Sequence, residues 1–234
     1  MTGSPSRSTA LIAGASRGLG LGLAKAYLDQ GWRVIGTVRG ARHTGLHDLA
    51  APAGGRLEIE PLDINDAYQL AALRRRLEGR SIDLLFVNAG IANNPAETIG
   101  AVTTQTFIDL MLTNALSPLR MIEALEHLVP PSGTIAAMSS GLGSVANNTF
   151  GGFEAYRASK AALNTLMRSF AARHAGDPRS LLLMAPGWVR TDMGGPQADL
   201  SVADSVAAMV ATIARQSGTP GLRYLNYNGE TLPW

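Results

Sequence analysis

A short apolar run at residues 9–13 opens directly onto Gly14-Ala15-Ser16-Arg17-Gly18-Leu19-Gly20, and a helical pattern over residues 21–30 follows at once. Strand, glycine turn and helix in that order leave the chain little freedom. The strand must be buried, the turn must be tight, and the helix must pack back on the strand it has just left. The alternation then repeats, with strands expected at 33–38, 56–60 and 82–87, a short helix near 46–50 and a longer one at 66–77. A helix over 104–128, a strand at 133–139, a helix at 154–174, a strand at 180–184, a helix at 202–215 and a last strand at 223–227 complete the pattern. Alternation of this kind implies parallel strands joined by right-handed crossovers. The expected class is therefore α/β: a doubly wound parallel sheet of about seven strands with helices on both faces. No repeat or linker divides the 234 residues, so 9–234 reads as one domain behind a polar, disordered segment at 1–8.

Composition removes several function classes. The absence of cysteine excludes disulfides, thiolate metal sites and cysteine nucleophiles, and suits a cytoplasmic protein. No apolar run approaches the roughly 18 residues of a membrane span, and the start of the chain shows no hydrophobic signal core, so neither membrane insertion nor export is expected. Net charge is only +2. The one arginine cluster, Arg74-Arg75-Arg76, falls on an expected helix and reads as a solvated face, so no nucleic-acid partner is expected. His43 and His47 lie four apart without a third ligand type nearby, and no metal site is expected.

The glycine turn suggests a phosphate cradle. Gly14, Gly18 and Gly20 let bare backbone approach a ligand, and the helix behind them presents free N–H groups and positive potential. The spacing is Gly-x-x-x-Gly-x-Gly, distinct from the Gly-x-Gly-x-x-Gly dinucleotide fingerprint. Where an acidic residue would accept the ribose hydroxyls of NAD, the second strand ends in Arg39 instead. Arg39 and Arg17 together would hold a 2′-phosphate, which points to NADP(H) over NAD(H).

Tyr156 and Lys160 sit four apart on an expected helix, so they share a face, and an ammonium beside a phenol is expected to draw the tyrosine towards a pKa useful for proton transfer. Only Lys25 and Lys160 are lysine among 20 basic side chains, which makes lysine at this spacing informative. Arginine there would be too hard to deprotonate.

Taken in order, Gly14-x-x-x-Gly18-x-Gly20, Asn88-Ala89-Gly90, Ser140, Tyr156-x-x-x-Lys160 and Pro186-Gly187 resemble the short-chain dehydrogenase/reductase family from residue 9 onward. The runs Ser139-Ser140-Gly141-Leu142-Gly143-Ser144 and Gly187-Trp188-Val189-Arg190-Thr191-Asp192-Met193 are similar to the branch of C-factor-like proteins and sniffer-type carbonyl reductases. The resemblance implies a single-domain Rossmann fold in which Tyr156 is the general acid/base. Lys160 would lower its pKa and hold the nicotinamide ribose, Ser140 would donate to the substrate oxygen, and Asn114 would hold a water leading to Lys160. It also implies cofactor contacts from Ser16, Leu19, Asp63, Ile64, Asn88, Ala89, Gly90, Pro186, Gly187, Val189 and Thr191. Helices 104–128 and 154–174 resemble those that pair in homo-oligomers, either dimers or tetramers.

Three positions depart from the family pattern. Ala13 stands where many members carry threonine, Ala185 stands where relatives often carry a polar residue, and the fifteen residues between Ser140 and Tyr156 make a longer loop than usual. The leading expectation is an NADPH-dependent reductase of an aldehyde or ketone. Its pocket would draw on Ile91, Leu142, Val145, Phe153, Trp188 and Met193. A dinucleotide-binding signalling protein, and a reductase of imines or activated C=C bonds, are the alternatives.

Overall fold

The computed structural model describes residues 8–234, so the expected 1–8 segment lies, apart from Ser8, outside the described residues. Seven parallel strands form one sheet in the order β3-β2-β1-β4-β5-β6-β7. They are β1 Thr9–Ala13, β2 Arg33–Val38, β3 Leu57–Pro61, β4 Leu84–Val87, β5 Thr134–Met138, β6 Ser180–Ala185 and β7 Gly221–Asn226. The helices between them are α1 Gly18–Asp29, α2 Gly45–Asp48, α3 Ala50–Ala53, α4 Ala67–Leu77, α5 Thr104–Met111, α6 Ser117–Leu125, α7 Glu154–Arg173 and α8 Val202–Gln216. The Rossmann-type doubly wound expectation holds, and β1 and β2 begin and end where the sequence pattern places them.

The two-residue period of the strands divides the core into two layers. Leu11, Leu85, Ile135, Leu183 and Tyr224 pack under α4, α6 and α7, through Leu73, Ile122 and Phe170. Their neighbours Ile12, Phe86, Ala136, Leu182 and Leu225 pack under α1 and α8, through Leu23, Val206 and Met209. Local sequence ends the helices cleanly. Asp66 caps α4 by accepting from the Tyr68 and Gln69 amides, and Ser201 caps α8 by accepting from the Asp204 amide.

The continuous helix expected at 104–128 is a correction. It is broken into α5, a π-helical turn at Leu112–Leu116, α6 and a 3-10 turn at Glu126–Leu128. Pro118 has no N–H to offer the carbonyl of Asn114 four residues back, and the helix widens at that point. The helix expected near 46–50 is likewise two short turns, α2 and α3.

The arginine cluster and the histidine pair make ion pairs within the protein. Arg76 pairs at 2.6 Å with the buried carboxylate of Glu60, and His43 pairs at 2.6 Å with Asp48. Among the described residues no helix is long and apolar enough to cross a membrane.

A very tight backbone approach lies at the start of α1. A β-carbon on Gly20 would stand 2.1 Å from the Gly14 carbonyl oxygen, whereas one on Gly100 would meet nothing within 4 Å. Gly20→Ala is therefore expected to lower unfolding free energy by about 1–3 kcal/mol, and Gly100→Ala to stay within about 0.5 kcal/mol of the parent. Urea titration of both variants checks the pair; equal stabilities would show that the turn relaxes freely.

Candidate active site

Strand order reverses between β1 and β4, and the ligand crevice of such a sheet opens there, at the carboxyl edge. The glycine turn fills this position. Gly14 takes φ 81° and Gly18 φ 54°, and a β-carbon on Gly14 would stand 2.9 Å from the Ala89 Cα, so the turn lies directly on the one after β4. Backbone bonds join the two: the Asn88 and Ala89 amides both donate to the Ala13 carbonyl at 3.0 Å, and Asn88 Nδ2 donates to the Gly14 carbonyl at 2.8 Å. The missing threonine hydroxyl at Ala13 has a counterpart in buried Thr37, whose Oγ1 accepts from the Gly14 amide at 3.0 Å.

At the N-terminus of α1, Arg17 makes no side-chain cap and the first turn carries no acid, so the N–H groups remain available to an anion. Thr191 approaches from the far side of the crevice, where its methyl would lie 3.6 Å from a β-carbon on Gly18. This narrow, amide-lined cradle fits the pyrophosphate of a dinucleotide. Ser16 and Leu19 belong to the same turn. Asp63 and Ile64 follow β3 at the same edge, with the Asp63 carboxylate accepting from the Asn65 amide. Arg39 follows β2 and is exposed, with no side-chain partner among the described residues. Arg17 pairs with exposed Asp192 across the crevice, a partner that the spacing did not suggest. Pro186 and Gly187 leave β6 in a turn with Gly187 at φ 79°; Pro186 is held by Ser205, and Val189 is buried in a bridge with Leu200.

The side chains expected to act as acid and base meet beside this cradle. Tyr156 and Lys160 are both buried on one face of α7, with Lys160 Nζ 5.8 Å from the Tyr156 ring centroid. Lys160 donates to the Met138 carbonyl at 2.9 Å, and its ammonium would lie 3.5 Å from a β-carbon on Gly90. Burial pushes the Tyr156 phenol up to about 12, with the Ser140 hydroxyl bonded to it as a smaller opposing influence. Burial also brings Lys160 down to about 8. The expected draw of the tyrosine towards neutrality is not found in this protein alone: desolvation of the phenol is the largest influence, and the bond that the ammonium makes is to the Met138 carbonyl.

Ser139 and Ser140 differ in what they face. Buried Ser139 donates to Asn164 Oδ1 at 2.7 Å, while Ser140 faces Tyr156. Asn114 sits in the π turn, where its side chain clasps Ile91 through both main-chain groups at 2.8 Å and donates to Ser159 at 2.9 Å. Asn164, which extends the Tyr156, Lys160 series by another four residues, was not singled out from sequence. That i, i+4, i+8 spacing was the available signal.

The expected substrate side chains separate into two groups. Ile91 and Leu142 pack with Tyr156, Leu110 and Phe107. Val145, Phe153, Trp188 and Met193 stand exposed on the surrounding loops. Phe153 holds φ 55°, rare for a residue with a side chain, at the start of α7. Buried Arg157 supports this geometry by donating to the carbonyls of Gly151 at 3.1 Å and Gly152 at 2.9 Å.

Comparison with known proteins agrees with this geometry. Residues 8–201 match the short chain dehydrogenase family. A crystal structure of a short-chain dehydrogenase/reductase from Burkholderia multivorans with bound NADP is 54% identical, superposes with a TM-score of 0.95, and is covered over 97% of this chain and 100% of that one. The carbonyl reductase Sniffer of D. melanogaster is 35% identical with a TM-score of 0.85, over 97% and 99% of the two chains. C-signal of Myxococcus xanthus is 37% identical over 155 residues, which is 65% of this chain and 93% of that protein. With the strand order, the glycine cradle and the Ser140, Tyr156 and Lys160 cluster in place, the chain belongs to the short-chain dehydrogenase family, in its C-factor and sniffer-like branch.

Proposed function

We propose that this protein is an NADPH-dependent carbonyl reductase, reducing an apolar aldehyde or ketone to its alcohol. The observation that carries the reading is the convergence of Ser140, Tyr156 and Lys160 on one point beside the glycine cradle, with Ile91 and Leu142 forming an apolar wall against the tyrosine. NADP bound to the Burkholderia relative and the carbonyl reductase activity in Sniffer's name support it.

When bound, NADPH supplies the hydride that reaches the carbonyl carbon. The amides of the 14–20 turn hold the pyrophosphate, and Arg39 and Arg17 hold the 2′-phosphate, with Arg17 leaving Asp192 to do so. Asp63 and Ile64 flank the adenine, Asn88, Ala89 and Gly90 line the adjoining turn, and Lys160 holds the nicotinamide ribose. Pro186, Gly187, Val189 and Thr191 border the nicotinamide. Ser140 donates to the carbonyl oxygen, stabilising charge as it develops there. Tyr156 then gives its proton to that oxygen. A phenol held near 12 is fully protonated at neutral pH, which suits an acid in the reducing direction. Asn114 holds a water through which the proton is replaced.

C-signal favours a second reading, a dinucleotide-binding signalling protein. The complete Ser140, Tyr156, Lys160 set argues against it, since binding alone has no use for an acid in contact with a serine donor. We further propose that α5, α6 and α7 pair between copies in a homo-oligomer, because Ile108, Leu116 and Leu166 remain 49%, 41% and 37% exposed there.

Three measurements test the enzymatic reading. Tyr156→Phe is expected to cut kcat on a carbonyl panel by about 10²–10⁴-fold, with NADPH affinity by fluorescence titration unchanged; full turnover would remove the tyrosine from the chemistry. Arg39→Asp is expected to reduce the NADPH over NADH preference in kcat/KM by about a hundredfold, and an unchanged ratio would exclude that contact. For reduction, kcat/KM should hold below pH 8 and fall above it as Lys160 loses its proton, because the lysine, at about 8, titrates well before the tyrosine, at about 12. A profile flat from pH 7 to 10 would contradict the role given to Lys160.

A further inference from the structure

Ser140 carries the proposed substrate-oxygen contact, yet it follows the end of β5 at the mouth of a long loop, and its own segment holds its main chain only through the Gly143 amide, which donates to the Ser140 carbonyl at 2.9 Å. Its hydroxyl accepts from the Leu142 amide at 3.2 Å and faces the Tyr156 phenol. The main chain around it is held from elsewhere. The Tyr224 hydroxyl donates to the Ser140 carbonyl. Tyr224 is in β7, two strands away, and register explains its reach. It pairs with Leu183 of β6, which pairs with Ala137 of β5, so its side chain projects from the same face of the sheet as Ala137, towards α7.

The same hydroxyl lies within bonding reach of Ser139 and Asn164. Asn164 also donates to the Gly143 carbonyl at 3.2 Å and accepts from Ser139 at 2.7 Å. A β-carbon on Gly143 would stand 3.0 Å from Lys160 Cβ, so the turn at 141–143 is drawn onto the helix that carries Tyr156 and Lys160. A second support comes from Trp234. Leu232 donates to the Tyr224 carbonyl at 2.9 Å, which folds 231–234 back along β7. Trp234 then lies 5.5 Å from the Tyr224 ring, beneath the Arg168 guanidinium at 4.6 Å, and its carbonyl accepts from the Ala146 amide at 3.0 Å.

We propose that Tyr224 is a positioning residue for Ser140, and that Trp234 backs it. The phenol fixes the serine main chain, and with it the direction of the hydroxyl, while the Trp234 carbonyl holds the loop beyond. The inference rests on the carbonyl reductase reading for its effect on rate, but the restraint on the 140–146 loop stands apart from that reading. Burial holds the Tyr224 phenol above its ordinary value, so it remains a donor throughout the working range.

Tyr224→Phe keeps the ring and its packing while removing the hydroxyl. Hydrogen exchange on the full chain is expected to show faster exchange at the 142–147 amides, with core amides of β4 and β5 unchanged. Kinetically, Tyr224→Phe should lower kcat about tenfold with NADPH affinity and substrate KM nearly unchanged. Ser140→Ala/Tyr224→Phe should be no slower than Ser140→Ala alone, because a residue acting through Ser140 has nothing left to position. Trp234→Ala should loosen the same amides by removing the ring that seats this main chain beside Tyr224, and Trp234→Phe, which keeps a ring there, should restore them. Parent-like protection of 142–147 in Tyr224→Phe would overturn the proposal whatever the turnover; so would multiplicative rate losses in the double variant. A parent that reduces no carbonyl would defeat the enzymatic reading alone, leaving the exchange result to decide the positioning role.

Discussion

Every functional contact in this protein depends on a parallel sheet whose strand order reverses between β1 and β4. Parallel strands send all their carboxyl ends to one edge, and the reversal parts the following loops so that a crevice opens instead of a packed seam. The turn after β1 and the turn after β4 then lie in contact through Gly14 and Ala89, with Ala13 accepting both amides of the second turn. A side chain larger than hydrogen at Gly14 or Gly20 would separate them. The cradle is therefore a property of sheet order and of two absent side chains, more than of any polar group.

Tyr156 and Lys160 work against this frame energetically. Lys160 is a buried cation whose one bond is to a main-chain carbonyl, and its proton affinity falls accordingly. Between about 8 and its ordinary 10.5 the unfolded chain holds a proton that the folded one has released, so this group makes stability rise with pH across that window. Tyr156 has the opposite sign: raised from 10 to about 12, it makes stability fall with pH between those values. Neither side chain is placed where folding alone would favour it, which is the usual mark of a position kept for chemistry.

Much of this was legible in sequence because it is periodic or local. The strands announce themselves as apolar runs, the glycine turn by its spacing, and the Tyr156, Lys160 pair by helical repeat. What escaped is long-range or depends on a single break in a pattern. The π turn at 112–116 needed attention to the missing N–H of Pro118. Thr37, Asp192 and Tyr224 act through partners 23, 175 and 84 residues away, and no local pattern marks such contacts. The tyrosine pKa was misjudged for a related reason, since spacing gives proximity to the ammonium but not the depth of burial.

The loop from 141 to 153 shows how the two kinds of information combine. Its length reads as freedom, yet both of its ends are tied. Gly143 is drawn to Asn164, Ala146 is bound to Trp234, the carbonyls of Gly151 and Gly152 are gathered by Arg157, and the Phe153 amide donates to Pro95 at 3.2 Å. The middle of the loop is held more lightly: Phe150 is 81% exposed, with the Arg157 guanidinium over its ring at 5.6 Å. A loop fixed at both ends and open in the middle can vary in the residues that meet substrate without disturbing Ser140 or Tyr156. Extra length at this position therefore varies the middle of the loop, while Tyr156 and its helix stay where the sheet places them.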